Sequence, residues 1–439
     1  MAKKKEKTLE EKLQEALVPE NQWPYMLPEN WCWTRLENIN KYRGKSVTPQ
    51  NNDDILFELY SVPSCENEYP EILTGSKIGS SKQLVEKKDV LLCKINPRIN
   101  RVWQVLGYTN NTLLASSEWI VVRNRILPPD YLVWYFKSPY FREVMLSNVS
   151  GVGGSLMRAK PKAVMGYPVP LAPLPEQKRI VHCIESLFAK LDEAKEKIQQ
   201  VLDGAEMRKA AILHKAFTGE LTKTWRKENG ISEDSREVKK LSDCGNWYGG
   251  GTPSKTHPEY WEKGNILWIT SKDMKSDYIE DSQQHINSYG VENSSAKYIE
   301  EHALICVMRS GILRHSFPVA VIKKPFTVNQ DLKVLVPNKM INIEYLLYIC
   351  KYKEQSILNS CMKNGTTVES INFDKLKNFS IMIPAEIEQI RIVNIIKKFL
   401  CRENDVLNKC NKFITSIDTM KKSILAKAFR GELGTNNPT

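Results

Sequence analysis

Three cations fall within five residues at Lys41, Arg43 and Lys45, and a second basic run carries Lys94, Arg98 and Arg101 with Asn96 and Asn100 between them. Cations this close repel one another unless an anion lies near, and phosphate is the anion that such loops hold. The asparagines add paired donors and acceptors, the groups that read base edges. Further along, Thr252, Ser254, Lys255, Ser271, Lys272, Arg309 and Arg314 form a second polar and basic set. The chemistry these residues support is noncovalent: anchoring a polyanion and reading its edges.

Covalent chemistry finds no matching motif. A methyltransferase acting on a flipped adenine needs an Asn/Asp-Pro-Pro-aromatic loop, yet Pro128-Pro129 lies between Leu127 and Asp130. A phosphate-wrapping Walker loop needs glycine five residues before its Gly-Lys-Ser, and Gly44-Lys45-Ser46 has Ile39 there. The Gly151-x-Gly153-Gly154 run follows no buried strand, so it does not read as a nucleotide fingerprint. The six histidines are dispersed, and the ten cysteines include no Cys-x-x-Cys pair, so they read as reduced, packed thiols. No carboxylate cluster suits a nuclease. The expectation is no catalytic residue and no metal ligand.

Composition agrees. A net charge of +12 and a pI near 9.0 favour a nucleic-acid partner. No apolar run approaches the roughly 20 residues of a membrane span. The start, with Lys3, Lys4, Lys5 and Lys7 ahead of Leu9, Leu13 and Leu17, lacks a secretory apolar region. A cytoplasmic protein without membrane partners is expected.

What positions the basic loops is a repeat. Residues 176–221 and 388–433 align without a gap at an offset of 212. Both copies open on Glu-Gln-x-Arg-Ile-Val and close on Lys-Ala-Phe-x-Gly-Glu-Leu. Apolar residues step by fours and threes through Ile180, Ile184, Leu187, Leu191, Ala194, Ile198, Val201 and Ala205. The second copy gives Ile392, Ile396, Phe399, Val406, Cys410, Phe413, Ile417, Met420 and Ile424, interrupted by Glu403. This is a heptad seam. Gly219 and Gly431 mark the stops, and Pro175 and Pro384 precede the starts. Each copy predicts a helix about 60 Å long, and the pair is expected to pack as an antiparallel coiled coil.

Ahead of each helix lies a mixed α/β (α+β) domain. The first has strand-like runs at 55–62, 89–95, 102–108 and 119–122 and a helix at 131–147. The second repeats that order at 266–270, 303–308, 319–322 and 332–336, with a helix at 343–358. Val90–Cys93 corresponds to Ala303–Cys306, Tyr131-Leu132 to Tyr345-Leu346, and Gly154-Ser155 to Gly365-Thr366. The division is an N-terminal helical segment (1–22), domain one (23–174), a central helix (175–221), a linker (222–237), domain two (238–384), a distal helix (385–433) and a tail (434–439).

With these features the chain resembles the specificity subunits of type I restriction–modification systems over nearly its whole length. The resemblance rests on the two matched helix starts and finishes. It rests also on Gly250-Gly251-Thr252-Pro253-Ser254, Tyr260-Trp261, 269–274, Arg309-Ser310-Gly311 and Asn329-Gln330. Domain one lacks the Gly-Gly-Thr-Pro opening, which fits two domains reading different half-sites. The resemblance implies a bipartite double-stranded DNA target with a spacer set by the helices. It implies two methylation subunits that bind S-adenosylmethionine and methylate adenine, and restriction subunits that use ATP and Mg. It makes the helix ends at Phe217 and Phe429 the expected docking points for methylation subunits. Two rival readings are a stand-alone DNA methyltransferase or nuclease with disguised motifs, and a coiled-coil anti-restriction or assembly protein without sequence preference.

Overall fold

The computed structural model describes residues 8–150, 157–363 and 368–436; the Gly154-Ser155 and Gly365-Thr366 landmarks lie outside these. The chain forms two compact units: Met1–Gln199 with Asn411–Thr439, and Gln200–Cys410. Each unit holds one mixed domain, the start of the helix that follows it, and the finish of the other helix.

In unit 1, Val90–Cys93 is the middle strand of three, flanked antiparallel by Val102–Gln104 and Trp119–Val122. All four of its residues are buried because both faces are covered. Val90 and Leu92 pack with Trp33, Tyr131 and Phe136, whereas Leu91 and Cys93 pack with Tyr60, Trp103 and Trp119. A period of two thus produces a continuous apolar run. A five-stranded sheet lies beyond, in the order Ser46–Val47, Lys82–Leu84, Thr112–Ala115, Leu56–Tyr60, Glu71–Thr74. The helix expected at 131–147 is two, Pro129–Lys137 and Pro139–Ser147. Pro139 forces Ser138 into an extended conformation, and Ser138 then caps the second helix by accepting from the Phe141 amide. At the N-terminus, Leu9–Ala16 is a helix with a capping box on Thr8 and Glu11.

In unit 2, Ala303–Val307 holds the matching place, antiparallel to Val319–Ile322 and Leu332–Pro337 within a five-stranded sheet. The helix expected at 343–358 is again two, Ile343–Tyr352 and Glu354–Cys361. The stretch expected as a linker contains a helix, Lys223–Glu228, whose Arg226 is buried.

The long helices are Leu174–Asp203 continued by Ala205–Phe217, and Glu386–Ala428. The first is interrupted at Gly204, which keeps φ and ψ of −76° and −4°. Its amide still donates to Gln200 O and its carbonyl accepts from the Arg208 amide, both at 3.1 Å. A Cβ there would lie 2.6 Å from Arg208 Nη1. Pro175 falls inside the first turn, where its missing N–H has no intrahelical partner to lose. Gly219 and Gly431 take φ of 86° and 74°, the left-handed stop.

Part of the expected seam is displaced by one residue. Ile184, Ala205, Cys410 and Ile417 are buried, but Val201, Val406, Phe413 and Met420 are exposed by 38, 41, 59 and 49%. The neighbouring line, Phe188, Lys195, Leu202, Leu400, Leu407, Ile414 and Lys421, is half-buried in their place. Lysine stems can cover apolar surface while their amines reach out. In unit 1 Lys195 pairs with Asp418 at 3.7 Å and Lys421 with Asp192 at 2.5 Å, so these stretches run antiparallel. In unit 2 Glu403, which interrupts the expected seam, is buried and accepts from Arg208 Nε (3.0 Å) and Nη2 (2.5 Å).

Candidate nucleic-acid interface

Asn40 shapes the first basic loop. Its Oδ1 accepts from the Tyr42 and Arg123 amides (2.9 and 3.0 Å), and its Nδ2 donates to Val121 O (3.1 Å). Beyond this pin Lys41, Arg43 and Lys45 are all exposed, and among the described residues none forms a salt bridge. Such a loop presents uncompensated positive charge, as phosphate anchoring requires.

The second loop leaves the Val90–Cys93 strand as a short 3-10 turn, Pro97–Ile99. Asn96 and Asn100 flank it with φ of 47° and 54°. Asparagine tolerates this left-handed conformation better than most residues, so these two define the turn. Arg98 is exposed at the tip and Lys94 half-buried. Arg101 differs from the expectation. It pairs with Glu66 at 2.8 Å and is largely buried, bracing the turn rather than standing free.

In unit 2 the glycine-rich opening and the 329–330 segment meet. Gly250 packs so closely that a Cβ would lie 2.0 Å from Val328 O. This approach lets Thr252 Oγ1 donate to Gln330 Oε1. Gln330 and Arg309 line one cleft of about 550 Å³ with Lys333, Lys363, Asp331 and Phe373. Lys333 Nζ lies 5.1 Å over the Phe373 ring. Lys333 and Lys363 are absent from the expected set, and only adjacency to a noted motif could have suggested the first. Arg314 is paired with Glu369. Lys255 lines a separate depression with Trp261 and Gln284. Ser254 Oγ is shared with Thr256 Oγ1 at 2.7 Å. Ser271 and Lys272 sit in a turn held by Asp273, which accepts from the Thr270 amide and hydroxyl, both at 2.8 Å. Among the described residues that line the Arg309 cleft, Ser254, Lys255, Ser271 and Lys272 are not found.

The expected docking points lie indoors. Phe429 is buried against Tyr131 and Tyr135 in unit 1, both with ring centroids at 5.2 Å. Phe217 is buried against Tyr345 and Tyr352 in unit 2, both at 5.3 Å. Each aromatic plugs the domain core, so its side chain is not open to another protein. The tyrosine hydroxyls repeat the symmetry: Tyr131 donates to Pro170 O and Tyr345 to Met382 O, at 3.1 and 2.8 Å.

The matched glutamates close the same joints. Glu388 is buried and accepts from Thr222 Oγ1 (2.6 Å) and Arg226 Nη1 (2.7 Å), with Arg236 Nη2 at 3.3 Å. In unit 1 Glu176 accepts from Thr435 Oγ1 (2.5 Å) and pairs with Arg179 (2.8 Å). The start of each repeat copy thus grips the residues that follow the finish of the other. Among the described residues, no group of three His, Cys, Asp or Glu is placed to hold a metal, and no helix is long and apolar enough to cross a membrane.

Residues 233–415 match a family model described as type I restriction modification DNA specificity domain. The specificity subunit of the type I restriction enzyme EcoR124I/EcoR124II from Escherichia coli is 40% identical over 176 residues, 40% of this chain and 44% of that protein. That of the type I restriction enzyme MjaIX from Methanocaldococcus jannaschii is 30% identical over 182 residues, 39% and 41% of the two chains. The chain thus spans less than half the length of either relative. The crystal structure of the HsdS subunit from Thermoanaerobacter tengcongensis has the same fold, with a TM-score of 0.70 at 19% identity, covering 94% of this chain and 100% of that one.

Proposed function

We propose that this chain, which belongs to the family of specificity subunits of type I restriction–modification systems, is a noncatalytic reader of a bipartite site in double-stranded DNA. Each unit reads one half-site, and the two long helices pack along their length as an antiparallel coiled coil that sets the spacer. The observation that carries this reading is duplication of the same architecture with a different polar surface. Both units place a buried central strand before a short turn bearing basic residues. The surfaces themselves differ, with Lys41, Arg43 and Lys45 in one and Thr252, Gln330 and Arg309 in the other. Loops built on one scaffold with unlike donors and acceptors suit two unlike base sequences.

Adenine methylation and cleavage then belong to other chains: two methylation subunits carrying S-adenosylmethionine, and restriction subunits using ATP and Mg. With Phe217 and Phe429 buried, docking of the methylation subunits falls to exposed apolar positions such as Phe413 and Met420, seven residues apart on one face of a helix. Such a complex works in the cytoplasm on chromosomal DNA. The test is exchange of residues 23–174 with those of a relative of different specificity, followed by sequencing of methylated adenines in a host carrying matching methylation subunits. One half-site changes and the other persists; simultaneous change of both halves refutes the two-reader arrangement.

A further inference from the structure

The two turns that follow the central strands share a feature that phosphate anchoring does not use. Aligning Val90–Cys93 on Ala303–Cys306 without a gap brings Ile99 onto Ile312 and Arg101 onto Arg314. Ile99 ends the Pro97–Ile99 turn and Ile312 lies in the Gly311–Arg314 turn. Both isoleucines are exposed, by 46 and 45%.

Each turn is held stiffly. In unit 1 the Asn96 amide donates to Met157 O (2.9 Å) and the Ala159 amide to Lys94 O (2.8 Å). In unit 2 the Ser310 amide donates to Glu369 O (3.1 Å) and the Ile371 amide to Met308 O (2.8 Å). Pro97 and Leu313 are the buried anchors. The aligned arginines, Arg101 and Arg314, brace the turns through Glu66 and Glu369. Isolated apolar side chains are ordinary on a protein surface. One that recurs at an aligned position, on a braced turn, in two domains whose sequences otherwise barely match, needs a reason.

Protein docking is a poor one, because a single side chain is far smaller than an apolar interface patch. The surroundings point elsewhere. Arg98 is exposed beside Ile99, with Lys94 nearer the strand, and the exposed Arg309 precedes Ile312 by three residues. An apolar tip between cations matches duplex DNA, where phosphates border stacked bases. Apolar side chains touch the thymine methyl or wedge into a base step.

We infer that Ile99 and Ile312 are base-level apolar contacts, one in each unit, pressed against the DNA bases of the half-site that unit reads. The inference rests on the DNA-reading function proposed above. Rigidity is what gives such a contact discrimination, since a braced tip cannot retreat from an ill-fitting step.

The experiment uses the full chain assembled with methylation subunits, comparing wild type with Ile99→Ala, Ile312→Ala and the control Ile126→Ala. Binding is measured over a series of salt concentrations, on a duplex with the bipartite site and on a scrambled one. Each turn variant loses about tenfold in affinity for the specific duplex, on the scale of one lost base contact. The slope of affinity against salt stays unchanged, because no phosphate contact is removed. Ile126→Ala binds as wild type. Replacing thymine by uracil in one half-site reproduces the matching loss for a methyl contact; 2-aminopurine fluorescence that rises on binding for wild type but not for the variant marks a wedge. Unchanged affinity in both turn variants, or an equal loss on the scrambled duplex, overturns the inference. Wild type that fails to prefer the specific duplex overturns the DNA-reading function itself, and the two failures are told apart by that control.

Discussion

Replacing Glu388 with alanine isolates the joint between the start of one repeat copy and the finish of the other. Its carboxylate is fully buried, and the side chains of Arg226 and Arg236 beside it are only 5 and 10% exposed. Removing one partner from a buried ion cluster costs about 3–5 kcal/mol. Glu176 supplies the comparison. It is equally buried, but its partner Arg179 is 46% exposed, so water takes over the cation once the carboxylate is gone. A loss of about 1–2 kcal/mol is expected there, near the value of one charged hydrogen bond. The chain has two units and need not unfold in one step, so a global midpoint is the wrong observable. Hydrogen exchange resolved by segment is the right one. Glu388→Ala accelerates exchange across residues 222–236 by about a hundredfold to several thousandfold. Glu176→Ala accelerates exchange around residues 174–180 by roughly tenfold. Acceleration below tenfold in Glu388→Ala, or equal effects in the two variants, refutes the argument that burial of the cations decides the loss.

Two further outcomes follow from the same reasoning. Glu403→Leu and Arg208→Leu singly leave a charge or a gap in the helix seam, and the double variant removes both charges together; helix-segment exchange protection falls in each single variant and recovers in the double, and singles as protected as the double refute a register role for the pair. Burial pushes the Glu58 carboxyl up, but hydrogen bonds from Tyr60, Thr109 and the Tyr108 amide outweigh it and hold it below the usual carboxylate range. A lowered folded value means stability present above the unfolded value of about 4.3 and lost as pH falls below it. Acid titration of wild type therefore shows weakened exchange protection of residues 56–60 and 112–115 below about pH 4.3, whereas Glu58→Gln has lower protection at neutral pH and a flatter acid profile; identical profiles refute it.

Local patterns made the two long helices and the twin central strands legible, since heptads and apolar runs are carried by neighbours in sequence. The seam register was legible only in part. Val201, Phe413 and Met420 are more apolar than Lys195 and Lys421, and a pattern reading prefers them. Asp418 and Asp192, which let those lysines turn their stems inward, lie on the other helix and leave no local trace. Arg101 and Arg314 illustrate the same limit at the interface. Each reads as a free cation until Glu66 or Glu369 arrives from another part of the fold. Glu403 looked like a defect for want of Arg208. Conversely, Pro139 was a local signal that the helical periodicity around it concealed.

The plugging of each domain by the distant helix finish sets an order of events during synthesis. Everything that unit 2 needs lies between Gln200 and Cys410, so its core can close as soon as that stretch has left the ribosome. Unit 1 begins some two hundred residues earlier, yet Tyr131 and Tyr135 wait for Phe429. The domain translated first is therefore the last to be completed.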